Sequence, residues 1–245
     1  MTTRYSKMRV GIIQTRGLGD IIIAAPIAQY LIAQGNEVHW PIDSTFLEAF
    51  RYAFPEINFI PVNPLESKPN TKEYFHLTPI LELQKVNCSK IFCLYSHLTN
   101  HNPENIRYQQ SLTFDMYKYA ITNVPFKEKW NLTLRRNKKR EDELFAMLNL
   151  SPSDSYSVIH EEGSDFKMEI SKIISIKNIK IIRITNHTDN FLDWLGIIEA
   201  AENIYCVDSV FANLIEQLNL NNNKYLFLRS PNPFTPVFRS NWHFI

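Results

Sequence analysis

Met8-Arg9-Val10-Gly11-Ile12-Ile13-Gln14, then Thr15-Arg16-Gly17-Leu18-Gly19-Asp20, then Ile21-Ile22-Ile23-Ala24-Ala25-Pro26-Ile27-Ala28 decide the fold. The first run is short and mostly apolar, which predicts a buried strand. The glycines predict a turn over Thr15–Gly19. Asp20 is a good helix N-cap, so a helix is expected from there to about Gln34. Pro26 falls one to two turns in and predicts a kink, and Gly35 predicts the stop.

Outward from this unit the pattern repeats. Glu37–Ile42 reads as a second strand, Asp43-Ser44 as the cap of a helix over Thr45–Ala53, and Ile57–Val62 as a third strand. A β-α-β-α-β run with short connections implies a parallel sheet. Beyond Pro64 the signal weakens to a loop over Glu66–Tyr74, a helix over 78–86, a strand over Lys90–Leu94 and a helix over Ser111–Ile121. The polar, basic stretch Lys127–Arg140 marks a junction, and its run 135–140 reads as a solvated linker. An anionic membrane surface is a secondary role for that run. The alternation then restarts. It gives a helix over Glu141–Leu148, a strand over Tyr156–His160 and a loop over Glu161–Phe166. A strand over Lys180–Ile184, a loop over Thr185–Asp189 and a helix over Asn190–Ala201 follow. The last elements are a strand over Asn203–Val207, a helix opened by Asp208-Ser209, and a strand over Tyr225–Leu228. The expectation is two α/β halves, residues 1–130 and 141–245, with no internal repeat of fixed period.

At 245 residues, with 44% hydrophobic and 21% charged, the chain is long enough to bury a real core. A net charge of +1 gives no global field for nucleic acid. The three cysteines, Cys88, Cys93 and Cys206, have no paired spacing, which argues for a reducing compartment. No signal-peptide apolar region precedes the first strand and no apolar run would span a bilayer, so a cytoplasmic location is expected.

Four polar clusters stand at predicted strand ends, where α/β proteins bind ligands. The first is Gly17-Leu18-Gly19-Asp20. Glycines let a backbone approach a ligand, and a helix start offers free N–H groups. A dinucleotide fingerprint needs a third glycine where Ile22 stands, and no Gly-Lys-Ser/Thr follows, so neither a dehydrogenase nor a P-loop is indicated. Asp20 would compete with a phosphate and suits a base. The second is His160-Glu161-Glu162-Gly163-Ser164 with Lys167, in which Ser164 and Lys167 are candidate phosphate contacts. The third is Asp208-Ser209 before a helix, a candidate diphosphate site. The fourth is Arg183 with Asn186 and Thr188, a candidate sugar or base contact. His97 and His101 have i, i+4 spacing but no third ligand nearby, so no metal site is expected. Each cluster has a plainer alternative, as a cap or a solvated loop.

The stretch Val10–Leu31, with Gly17-Leu18-Gly19-Asp20 and Ala25-Pro26, resembles the N-terminal motif of the heptosyltransferase-like glycosyltransferases, family 9. That motif runs Gly-Asp, five residues, Pro, as Gly19-Asp20 and Pro26 do. The family's His-Pro-Gly-x-Ser and nearby lysine look like His160-Glu161-Glu162-Gly163-Ser164 with Lys167. Its Asp-Thr-Gly-x-x-His looks like Asp208-Ser209-Val210-Phe211-Ala212-Asn213. The resemblance implies two Rossmann-like domains facing a cleft (GT-B), in a compact version. It implies an inverting, metal-independent transfer from a nucleotide-sugar donor to a glycan or lipid-linked glycan acceptor of the surface polysaccharide type, without a cofactor. Asp20 becomes the base. Gly17, Leu18 and Gly19 form the acceptor-side loop. Glu162, Gly163, Ser164, Lys167, Arg183, Asn186, Thr188, Asp208 and Ser209 fall on the donor side. Val210 stands where the family has glycine, and Asn213 where it has histidine. The alternative is a non-catalytic protein of this fold that binds a nucleotide or glycan.

Overall fold

The computed structural model describes residues 8–63, 73–95, 103–151, 153–163, 166–173, 179–228 and 235–245. The chain divides into two compact units, Met1–Leu134 and Arg135–Ile245.

In the first unit β1 (Arg9–Ile13), α1 (Leu18–Ala33), β2 (Glu37–Asp43), α2 (Leu47–Ala53) and β3 (Asn58–Val62) follow in sequence. After them come α3 (Thr78–Lys85), β4 (Lys90–Cys93), α4 (Pro103–Ser111) and α5 (Phe114–Thr122). The sheet order is β3-β2-β1-β4 and every pairing is parallel. Val10, Ile12 and Ile13 of β1 are all buried, as a strand covered on both faces requires. Helix α1 is apolar all round and buries every residue from Ile21 to Ala28.

Asp20 is not the N-cap of α1. The helix starts earlier, at Leu18, because Gly17 adopts φ 85°, ψ 89° and makes the turn with no side-chain cap. Asp20 is therefore the third helical residue. Pro26 lies within α1, and the Tyr119 hydroxyl donates to the nearby Ile23 carbonyl at 2.8 Å. Asp43 does cap the next turn, accepting from the Thr45 N–H at 3.0 Å. The expected loop over Glu66–Tyr74 lies largely outside the described residues, and Glu73–Leu77 is a π-helical turn leading into α3. Helix α5 begins three residues later than expected, and α4 was not expected.

The second unit runs α6 (Lys138–Met147), β5 (Tyr156–His160), α7 (Ile170–Ile173), β6 (Lys180–Arg183), α8 (Leu195–Ala200), β7 (Asn203–Val207), α9 (Val210–Gln217), β8 (Asn223–Phe227) and β9 (Trp242–Phe244). The sheet order is β6-β5-β7-β8-β9, again all parallel. Ile159, Ile170, Val207 and Phe227 form a buried cluster against which Phe166, Met168 and Tyr205 pack.

The basic run is not a solvated linker. Arg136 makes a bidentate pair with Glu141, at 2.7 and 2.6 Å, and a further contact with Glu199. Arg140 donates to Asp193 at 2.9 Å and reaches Asp189 and Thr188. Lys138 and Lys139 lie in α6 beside Glu141 and Glu143. Acids within the same unit thus offset most of the positive charge. Among the described residues of the expected loop over Glu161–Phe166 and the lysine that follows, Glu162 and Lys167 pair antiparallel, and the Gly163 N–H donates to the Phe166 carbonyl at 2.8 Å. The helix expected over Asn190–Ala201 opens as a 3-10 turn, Phe191–Trp194, capped by Asn190.

Candidate functional site

Each sheet has a point where the strand order reverses, and loops leaving neighbouring strands diverge there to open a crevice at the carboxyl edge. In the first unit that point lies between β1 and β4. In the second it lies between β5 and β7.

At the β1/β4 edge the glycine turn places Asp20. The first intrahelical bond of α1 runs from the Ile21 N–H to the Gly17 carbonyl at 2.9 Å, so the N–H groups of Leu18, Gly19 and Asp20 have no helical acceptor. A side chain at Gly17 would be strained by its positive φ, and its Cβ would stand 2.8 Å from Asp20 Oδ2. Asp20 Oδ1 lies 2.9 Å from Lys118 Nζ. Lys118 comes from α5 and is nearly fully buried, while the Asp20 side chain keeps 38% exposure. The lysine also donates to Gln14 Oε1 at 2.8 Å and to the Leu94 carbonyl at 3.3 Å. Gln14 Nε2 in turn donates to the Arg16 carbonyl. The Tyr95 hydroxyl closes the turn from the β4 side, accepting from the Arg16 N–H at 2.9 Å. The sequence reading singled out neither Lys118 nor Gln14 nor Tyr95. Only the α5 contact joins Lys118 to the motif, and no local spacing encodes it.

At the β5/β7 edge His160 Nδ1 and Ser209 Oγ lie 3.0 Å apart. His160 meets the edge of the Phe211 ring at 4.6 Å between centroids, and burial lowers its pKa to about 4. Ser209 occupies the N-cap position of α9, but its side chain does not cap the helix as expected. It is turned to His160 instead. The first intrahelical bond is from the Asn213 N–H to the Ser209 carbonyl at 3.3 Å, with Asn213 Nδ2 on the same carbonyl at 2.9 Å. The N–H groups of Val210, Phe211 and Ala212 are left without a helical acceptor.

The remaining expected donor-side residues scatter over this edge. Glu162 and Lys167 form an exposed ion pair at 2.8 Å, which holds the Glu162 carboxyl below and the Lys167 ammonium above their usual ranges. Gly163 is packed under Phe166, whose ring would meet a Cβ at 2.0 Å. Arg183 ends β6 with its Nε 3.6 Å from Glu161. Asn186 is exposed. The Thr188 hydroxyl is engaged inside the unit, donating to Asp193 and accepting from Arg140 at 2.9 Å. Ser164, His97 and His101 lie outside the described residues. Among the described residues no three His, Cys, Asp or Glu side chains are grouped to hold a metal, and no helix is long and apolar enough to cross a membrane.

No family model and no curated protein matches the sequence. Solved structures do match in fold. The glycosyl transferase family 9 protein from Veillonella parvula aligns over 100% of this chain and 88% of its own, at 12% identity and a TM-score of 0.65. E. coli ADP-heptose LPS heptosyltransferase II aligns over 97% and 90%, at 12% identity and a TM-score of 0.58. E. coli heptosyltransferase WaaC, solved with ADP-2-deoxy-2-fluoro heptose, aligns over 97% and 93%, at 12% identity and a TM-score of 0.55. At this identity the likeness establishes architecture alone. The chain has the fold of the family 9, heptosyltransferase-like glycosyltransferases, which the Gly-Asp…Pro stretch resembles in sequence.

Proposed function

We propose that this protein is an inverting glycosyltransferase that moves a sugar from a nucleotide-sugar donor to a glycan or lipid-linked glycan of the surface polysaccharide type, without a metal. The observation that carries the reading is the Asp20 carboxylate, held by a buried lysine at the carboxyl edge of the first sheet yet still partly exposed. Asp20 accepts the proton of an acceptor hydroxyl. The acceptor oxygen attacks the anomeric carbon from the side opposite the leaving group, and the bond from that carbon to the diphosphate oxygen breaks. The electron pair leaves on the nucleoside diphosphate. Negative charge grows there, and the Val210–Ala212 N–H groups with the Ser209 hydroxyl supply fixed dipoles for it. Lys167 and Arg183 are exposed cations on the same edge; surface pairs such as Glu162–Lys167 are weak enough to exchange partners. One protein of this fold, E. coli heptosyltransferase WaaC, was solved both with ADP and with ADP-2-deoxy-2-fluoro heptose, so ADP-sugars are the first donors to try.

The test follows nucleoside diphosphate release from a panel of nucleotide sugars, with Asp20→Asn as the comparison. The variant is expected to stay folded and lose at least about 100-fold in kcat. Wild-type turnover by that variant removes Asp20 as the base. A second reading, binding without transfer, is favoured by Val210 and Asn213 at family glycine and histidine positions. Calorimetric titration that finds nucleotide binding with no turnover of any donor selects it.

A further inference from the structure

We infer that Lys118 is a positioning residue for Asp20, an inference that rests on the proposed role of Asp20 as base. Burying an ammonium is costly, and an apolar side chain would fill the same place without that cost. Here the cost is offset by two hydrogen bonds and an ion pair. Lys118 Nζ meets three oxygens from three elements: it donates to Gln14 Oε1 after β1 at 2.8 Å and to the Leu94 carbonyl after β4 at 3.3 Å, and it forms an ion pair with Asp20 Oδ1 in α1 at 2.9 Å. Two of these acceptors are themselves fixed. Gln14 is oriented by its Nε2 bond to the Arg16 carbonyl, and its own carbonyl accepts from Trp40 Nε1 at 3.1 Å. The Leu94 N–H is tied to the Ile13 carbonyl of β1 at 2.9 Å. With Nζ placed at the sheet edge by these two bonds, its charge stands beside Asp20.

The carboxylate is thus paired at one oxygen. Lys118 holds Oδ1, and Oδ2 lies 2.8 Å from the point where a Cβ on Gly17 would stand. The ion pair favours this placement of Asp20, whose side chain remains 38% exposed. The lysine, at 5% exposure, is too deep to meet a substrate. Its effect reaches an acceptor only through the carboxylate. A reacting group displaced by about 1 Å loses on the order of 100-fold in rate, so orientation is the quantity Lys118 controls.

The experiment measures nucleoside diphosphate release by wild type, Asp20→Asn, Lys118→Met, Lys118→Gln and Lys118→Arg with ADP-, UDP- and dTDP-sugars, each variant checked for folding by circular dichroism. Lys118→Met is expected to lower kcat about 10- to 100-fold with the donor KM within about twofold, because the loss is confined to the transition state. Lys118→Arg, which keeps the charge, is expected to recover to within about tenfold of wild type. Lys118→Gln replaces Lys118→Met if the latter does not fold. Unchanged kcat in a folded Lys118 variant, alongside an inactive Asp20→Asn, overturns this inference and leaves the base reading standing. A rise in KM alone makes Lys118 a binding group and also overturns it. If Lys118→Met and Lys118→Gln both unfold, the lysine is structural and the inference falls. Full turnover by Asp20→Asn, or no turnover by wild type with any donor, removes the base reading and this inference with it.

Discussion

His160 shows how much one side chain depends on its burial. Its imidazole is packed against Phe211 and held to Ser209, and burial lowers its pKa from 6.5 to about 4. Unfolding restores the ordinary value, so between about pH 4 and pH 6.5 the unfolded chain binds more protons than the folded one. Stability contributed by the neutral imidazole is therefore present above pH 6.5 and lost as pH falls toward 4. The full effect is on the order of 3 kcal/mol. Urea midpoints measured across this window should fall with acid more steeply for wild type than for His160→Gln. Parallel curves for the two proteins would show that His160 titrates normally. The sequence places His160 at a strand end, but the depth of the site comes from Phe211 on another element. At Gly17 the sequence says more, because a glycine before an aspartate already suggests a special backbone. That α1 starts at Leu18, two residues before Asp20, depends on the Gly17 φ of 85°.

At the scale of elements, a single buried acid ties the end of the chain to the second sheet. Glu216 of α9 accepts from the Arg239 N–H at 2.7 Å, the Ser240 N–H at 3.3 Å, the Ser240 hydroxyl, and Trp242 Nε1 at 2.8 Å. These bonds dock the segment that becomes β9. Glu216→Ala leaves two backbone donors and an indole donor without that acceptor, and it should cost about 3 kcal/mol or more. Amide exchange at Trp242–Phe244 should then approach that of a free tail, while β5 and β7 keep their protection. Equal loss across the whole sheet would instead make β9 part of one cooperative unit with the rest. Strands β1, β5 and β7 were readable because short, mostly apolar runs between turn residues have few alternatives. Strand β9 was not, because three residues carry no period and its pairing depends on Glu216. The bridge between Glu162 and Lys167 escaped for a similar reason: the ring of Phe166 packs over Gly163, a contact no periodicity encodes.

Across the whole molecule, two parallel sheets of different strand order each have one switch point, where α/β proteins bind ligands at the carboxyl edge. If the β5/β7 edge is the diphosphate site, adding ADP should move the backbone amide resonances of residues 209–213 and leave the Glu216–Trp242 anchor unmoved. Ser209→Ala should weaken ADP binding about fivefold, the worth of one hydrogen bond of about 1 kcal/mol. Shifts confined to the β1/β4 edge would relocate the nucleotide to the first unit.

By itself the sequence determined the alternation of strands and helices, the two α/β halves and the Gly-Asp…Pro stretch, because apolar periodicity and turn residues act over short distances. The tertiary structure decided what local patterns cannot carry. It paired Asp20 with Lys118, turned Ser209 from the helix N–H groups to His160, drew Thr188 into the Arg140–Asp193 cluster and docked β9 on Glu216. Each is a contact between residues far apart in sequence, whose polar groups find partners only when packing closes the distance.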